Sequence, residues 1–270
     1  MALTALQRAI CRIIAANRKG QGEAYVAGAV ALNALLETSR LSRDIDLFHD
    51  TQEALQATWD ADRRLLAKAG FELEIIRERP TFVECVVRHE NESVVMQWLQ
   101  DSAFRFFPLV EHTDFGLVLH PFDLATNKVL ALVGRLEVRD WLDVISCHDR
   151  LQPLGYLAWA ASGKDAGLNP SLILREARRS GRYSQAELES LAFAGTPPTL
   201  GDAQQRWRAI LAEAQEILDA LPTAEIGRCV LDAGLELFRG DAARLTRCLR
   251  AGEIHFHAGS IRGVLPQFRP

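Results

Sequence analysis

The chain has no apolar run of about 18 residues or more, so it offers no membrane-spanning helix. It has five cysteines, Cys11, Cys85, Cys147, Cys229 and Cys248, and none stands at CxxC or metal-ligand spacing. That excludes a disulfide framework and a cysteine-built zinc site, and free thiols in a reducing compartment are expected. Excess positive charge is absent too. The net charge is −4, with −5 in the first 150 residues and +1 in the last 120. This is not the basicity of a nucleic-acid coat, although an enzyme that takes one RNA end or one nucleotide is compatible with it. There is no internal repeat and no low-complexity tract. No Ser-His-Asp or Cys-His arrangement can be read from spacing. The stretch from Met1 to Lys19 is amphipathic and carries Arg8, Arg12 and Arg18. It lacks the unbroken apolar core and cleavage site of a signal peptide, so a cytoplasmic location with no membrane partner is expected.

What is present is ordinary globular composition, 270 residues with 48% hydrophobic and 24% charged side chains. That suffices for one large domain or two modest ones. Helical periodicity runs from Ala2 to about Asn17 and ends at Gly20 and Gly22. Tyr25 to Ala27 is a short apolar entry to Gly28, and Ala29 to Leu36 reads as a helix. Asp44 to Phe48 reads as a strand, Thr51 to Ala69 as a helix stopped by Gly70, and Phe71 to Ile76 as a strand. Thr81 to Arg88 and Ser93 to Leu99 form a hairpin about His89-Glu90-Asn91-Glu92, and Gly116 to Leu119 adds an edge strand. After Pro121 nearly everything is helical, with one candidate strand at Glu253 to His257. The expected class is α+β: a mixed sheet flanked by helices over residues 1–150, then a mostly helical part over 151–270.

The densest chemistry lies in Arg40-Leu41-Ser42-Arg43-Asp44-Ile45-Asp46-Leu47-Phe48. Alternate side chains on a strand share one face, so Asp44 and Asp46 point the same way. Two anions side by side repel unless a cation lies between them, and magnesium takes oxygen ligands while keeping waters for a phosphate. Upstream, Gly28 and Ala29 open a helix whose free N–H groups can hold phosphate oxygens. Surface strands also carry such acid pairs by chance, and the glycine before the helix is what raises this pair above that background. A second constellation follows in Pro121 to Arg135 and Arg139-Asp140-Trp141-Leu142-Asp143. Lys128 stands among apolar residues and lies seven before Arg135, on one helical face. It is either a lysine snorkelling at a helix edge or a cation aimed at a metal-phosphate site.

In order, these three segments resemble the AbiE-type (AbiEii/AbiGii) nucleotidyltransferase toxins of the DNA polymerase β-like superfamily. The pattern is Gly28, then Arg40-x-Ser42-x-Asp44-Ile45-Asp46-Leu47, then Leu124-Ala125-x-x-Lys128-x-x-Ala131-Leu132-x-x-Arg135, then Arg139-Asp140-x-x-Asp143. The resemblance covers roughly residues 20 to 150. It implies a nucleotidyltransferase sheet, a nucleoside triphosphate substrate, Mg2+, an acceptor that can be the 3′ end of tRNA, and a cognate antitoxin. It implies further that Asp44 and Asp46 hold metal, that Gly28, Ala29, Arg43, Lys128 and Arg135 take the nucleotide, and that Asp140 or Asp143 is the late aspartate. Lys128→Ala is then expected to weaken triphosphate binding and leave the fold intact.

The chain departs from the family at two points. The turn is Gly28-Ala29, without the usual hydroxyl or second glycine. A third carboxylate is expected on a later strand, where this chain has Gln97, so Glu84 or Asp101 is the candidate replacement as a metal ligand. Two other readings stay open: a catalytically silent domain that binds nucleotide, RNA or protein, and a small-molecule nucleotidyltransferase of the antibiotic-modifying sort.

Three further features invite simpler explanations. Arg175, Arg178, Arg179 and Arg182 form one helical face, either tracking RNA or solvated and paired with Glu176, Glu187 or Glu189. His255 and His257 alternate on the candidate strand with no ligand cluster nearby. Phe104, Phe106, Phe107 and Phe115 read as core packing around the hairpin.

Overall fold

The computed structural model describes residues 3–267, side chains of residues 19–21 excepted. Met1 and Ala2, part of the helix expected at the start, lie outside the described residues. The chain divides into two compact units. One contains the residues up to Ala103 together with Leu109–His120, the other Phe104–Pro108 together with the residues from Pro121 on. The division drawn from sequence after residue 150 and this spatial grouping differ by two helices.

The first unit begins with α1 (Ala5–Gln21). Thr4 and Gln7 cap each other's backbone at its start, and Gly22 ends it in the left-handed region at φ 69°. Gly20 does not stop the helix, because the left-handed turn falls two residues later. Next come β1 (Ala24–Ala27), α2 (Gly28–Leu35), β2 (Asp44–His49) and α3 (Gln52–Lys68). Thr51 caps α3 by accepting from Ala54 N–H. The strands β3 (Glu72–Arg79), β4 (Phe82–His89) and β5 (Glu92–Gln100) follow. The β4–β5 turn is tighter than expected, since His89 pairs with Glu92 and Glu90 takes a positive φ of 54°. The two-residue β6 (Phe104–Arg105) groups with the second unit, and β7 (Val110–His112) and β8 (Gly116–Val118) complete the first.

These strands form one mixed sheet in the order β3-β4-β5-β2-β1-β8-β7. The β2–β5 and β1–β8 pairs are parallel and the rest antiparallel. The strand expected at an edge, β8, is internal, because the short β7 covers its outer side. On β2 the burial alternates: Ile45, Leu47 and His49 are buried, while Asp44, Asp46 and Phe48 are half-buried. The buried side is covered by α1 and α3. There the Trp59 and Trp98 rings meet edge to face, and the Trp98 indole donates to Asp62 (3.0 Å). Arg18 pairs with the same carboxylate at 3.2 Å, with both side chains fully buried.

The second unit carries α4 (Pro121–Arg135), α5 (Val138–Arg150), α6 (Leu154–Ala161), α7 (Pro170–Ala177), α8 (Gln185–Glu189) and α9 (Leu200–Ala220). Every residue of α6 is buried, as an all-apolar helix requires, and it packs against α4, α7 and α9. After α9 come β9 (Arg228–Leu231), α10 (Ala242–Ala251), β10 (His255–Ala258) and β11 (Ser260–Ile261). β9 pairs with β10, and β11 pairs with β6. The Asp123 carboxylate accepts from Phe106 N–H and Phe107 N–H and pairs with Lys164 at 2.8 Å, which fixes residues 104–108 to α4. No helix among the described residues is long and apolar enough to cross a membrane.

Candidate functional site

β2 runs between β1 and β5, so its side chains sit in the middle of the sheet. Its entry is held from α1, where the Gln7 amide donates to the Ser42 carbonyl (2.8 Å). The alternation then puts Asp44 and Asp46 on the same half-buried face. Arg43, just before the strand, is exposed.

Gly28 is fitted to this face in two ways. Its φ is +68°, a conformation that L side chains rarely adopt. A Cβ at this position would also lie 2.9 Å from Asp46 Cγ and overlap Asp46 Oδ2. The register explains the closeness: Ala27, the last residue of β1, pairs with Asp46, and Gly28 turns directly into α2. Ala27 is the N-cap of α2 and gives no side-chain cap. The first-turn N–H groups, which favour anions, therefore begin beside a carboxylate.

Across the sheet the pairing continues from Asp46 to Gln97 on β5, and from Gln97 to Glu84 on β4. Gln97 thus stands next to Asp46, and Glu84 one strand beyond. Strand spacing puts the Glu84 and Asp46 backbones roughly 10 Å apart. Gln97 Nε2 donates to Glu84 Oε1 at 2.9 Å. Asp101 lies past the end of β5, exposed, with its Oδ1 accepting from Ser102 N–H. Among the described residues no group of three or more His, Cys, Asp or Glu comes together as a metal cage. Two carboxylates on one sheet face beside a helix start nevertheless match the donor set of Mg2+, which uses one or two carboxylates and completes its shell with water and phosphate.

The second constellation assembles within the second unit. Lys128 Nζ lies 3.0 Å from Asp140 Oδ1 and 3.1 Å from Asp143 Oδ2. Arg135 grips Asp140 with two hydrogen bonds, Nε to Oδ2 at 2.6 Å and Nη2 to Oδ1 at 2.9 Å. Lys128 and Arg135 thus share a face of α4, and both aspartates on α5 meet the lysine. Burial pushes the Asp140 carboxyl up, but Arg135 and Lys128 outweigh it and hold its pKa below the ordinary carboxylate range. Lys128 itself is buried. It is therefore a lysine paired with two aspartates, and snorkelling does not describe it.

Other expectations change. The arginine stripe is not a helical face, because α7 ends at Ala177 and Arg179 and Arg182 lie beyond it. Arg175 and Arg179 both pair with Glu176, as a solvated surface would. The phenylalanines do not form one cluster about the hairpin. Phe106 and Phe107 meet Phe122 in the second unit, whereas Phe115 stacks on His112 in the first. His257 lies 2.8 Å from the Phe106 carbonyl, on β10 as expected of a strand histidine. The five cysteines are free. Sequence reading missed the contact of Gly28 with Asp46 and the Gln97–Glu84 bond, since both depend on strand register.

No family model matches the chain, and no curated protein matches it. Solved structures do. MenT4, a nucleotidyltransferase toxin of Mycobacterium tuberculosis H37Rv, aligns over 91% of this chain and 88% of its own, with 15% identity and a TM-score of 0.52. JHP933 from Helicobacter pylori aligns over 78% of this chain and 91% of its own, with 14% identity and a TM-score of 0.50. At such identity the likeness is one of fold. The mixed sheet with its flanking helices and helical C-terminal part is a nucleotidyltransferase-type fold, the one that the resemblance to the AbiE-type toxins implies.

Proposed function

We propose that the chain is a nucleotidyltransferase that moves a nucleotide from a nucleoside triphosphate to an acceptor hydroxyl at an RNA 3′ end, such as that of tRNA. In this reading it is the toxin of a toxin–antitoxin pair and works in the cytoplasm. The observation that carries the proposal is Gly28 turning into α2 directly against Asp46, with Asp44 on the same face. That arrangement joins an anion-binding helix start to two hard oxygen ligands on one sheet surface. The fold shared with a nucleotidyltransferase toxin adds support.

Asp44 and Asp46 would hold Mg2+. When bound, such an ion neutralises phosphate charge and lowers the pKa of an acceptor hydroxyl. Gly28 lets the backbone approach a phosphate without a side chain between, and Ala29 brings an N–H but no hydroxyl. Arg43, exposed and next to Asp44 in sequence, would meet phosphate from solvent. A role for Lys128 in triphosphate binding would have to stand beside, or replace, its pairs with Asp140 and Asp143.

A second reading, a nucleotide-binding protein without chemistry, is favoured by Gln97. It stands beside Asp46 where a third carboxylate would be, and a neutral amide cannot act as a base. The two readings separate when the protein is incubated with each α-labelled nucleoside triphosphate, total tRNA and Mg2+. Label joined to RNA at wild-type protein concentrations supports transfer. Label retained on the protein with none on RNA supports the binding reading.

A further inference from the structure

On the sheet face of Asp44 and Asp46, three neighbouring strands present Asp46, Gln97 and Glu84 in one row. All three are half-buried. The Gln97–Glu84 hydrogen bond also decides which way the Gln97 amide faces. A carboxylate accepts only, so the atom turned to Glu84 must be the NH2 group. The amide oxygen is then the atom of the group that Glu84 does not engage.

We infer that Glu84 is a positioning residue, which holds Gln97 by its nitrogen so that Gln97 Oε1 serves as a neutral third oxygen beside Asp44 and Asp46. The inference rests on the proposed metal site and deepens it. The site then carries two negative charges and one carbonyl dipole where three carboxylates are expected. It suits one divalent ion whose remaining positions go to water and phosphate. Glu84 acts through the amide and does not touch the ion; it stands a full strand further from Asp46 than Gln97 does. Orienting partners of this kind are common behind metal ligands, because a fixed ligand loses less freedom when the ion binds.

Two other roles for Glu84 would give different results. If Glu84 contributed by charge, or bound the ion itself, its neutral isostere would fail as badly as an apolar residue. If it merely stiffened the hairpin, its removal would move thermal stability and leave ion binding alone. The test is Mn2+ binding to the full chain by titration calorimetry, with thermal unfolding measured on each variant. Glu84→Met should weaken Mn2+ binding by about 10-fold, the usual scale for losing an orienting partner. Glu84→Gln keeps an oxygen acceptor for Gln97 Nε2 and should restore affinity to within about 3-fold of wild type by the same scale. Gln97→Met should lose as much as Glu84→Met, and the double variant should lose no more than either, because the two residues act as one unit. Should Glu84→Met not fold, Glu84→Ser takes its place. Wild-type affinity in Glu84→Met, or equal losses in Glu84→Gln and Glu84→Met, overturns the inference. Asp44→Asn with Asp46→Asn is the control for the underlying site. If Mn2+ binding survives that double change, the metal site itself fails and the inference with it. If binding is abolished there and unaffected at Glu84, only the inference fails.

Discussion

Two groups of carboxylates, one in each unit, stand in different surroundings. In the second unit Asp140 and Asp143 are buried and meet Lys128 at 3.0 and 3.1 Å, with Arg135 clamped on Asp140. In the first unit Asp44 and Asp46 are half-buried on a sheet face, beside a glycine and a neutral amide. The first group has its cations built in and reads as a fixed knot between α4 and α5. The second lies on the sheet face with Gly28 packed against Asp46 and Gln97 on the neighbouring strand. A charge cluster found in sequence thus says little until its burial and its partners are known.

Breaking the knot should have the largest effect. Lys128→Ala leaves two buried carboxylates short of a cation, so it should destabilise the fold by about 3 kcal/mol or more. This reverses the expectation drawn from sequence that the variant keeps its fold intact. Urea unfolding checks it, and a wild-type midpoint would show the knot to be dispensable.

An acid-pH effect of similar size is expected from the covered side of β2. His49 is fully buried, and burial pushes its pKa down from 6.5 to about 4. As pH falls below 6.5 the unfolded chain takes up a proton that the folded chain does not. Stability from this group is therefore complete above pH 6.5 and is lost on descent to pH 4, by about 3 kcal/mol. His49→Gln should flatten that part of the pH profile. An unchanged slope would place the acid sensitivity elsewhere.

Beside Asp46, Gly28→Ala should cost about 1–3 kcal/mol through positive φ and the clash with the carboxylate. It should also weaken Mn2+ binding, whereas Gly134→Ala, whose added Cβ meets nothing within 4 Å, should do neither. Equal behaviour of the two glycine variants would remove the special fit claimed for Gly28. The smallest change is expected from Arg179→Ala, which loses an exposed pair with Glu176 and should melt as wild type does.

Much of this contrast was legible in the residues. The alternation in Asp44-Ile45-Asp46-Leu47 placed both acids on one face, because the period of a strand is fixed by the backbone. Lys128 in an apolar helix announced a partner, because a buried ammonium needs one. Which partner it had was not legible, since spacing does not choose between Asp140 and Asp143, and both turn out to meet it. Gln97 near the acids was expected from the family resemblance, whereas the register that pairs it with Asp46 and sets Gly28 against the same carboxylate is a long-range property of strand pairing that spacing along the chain does not encode. The arginine stripe failed for a local reason. The helix ends at Ala177, and four positions at helical spacing are no face once the helix has stopped.

The central claim is that chemistry runs at Asp44 and Asp46. The most direct measurement compares wild type with the Asp44→Asn/Asp46→Asn double variant, incubated with α-labelled nucleoside triphosphates, total tRNA and Mg2+. Both proteins are first matched by thermal unfolding. The account predicts labelled RNA from wild type and none above background from the variant. Label transfer that persists in the double variant would contradict it, and would place the chemistry away from β2.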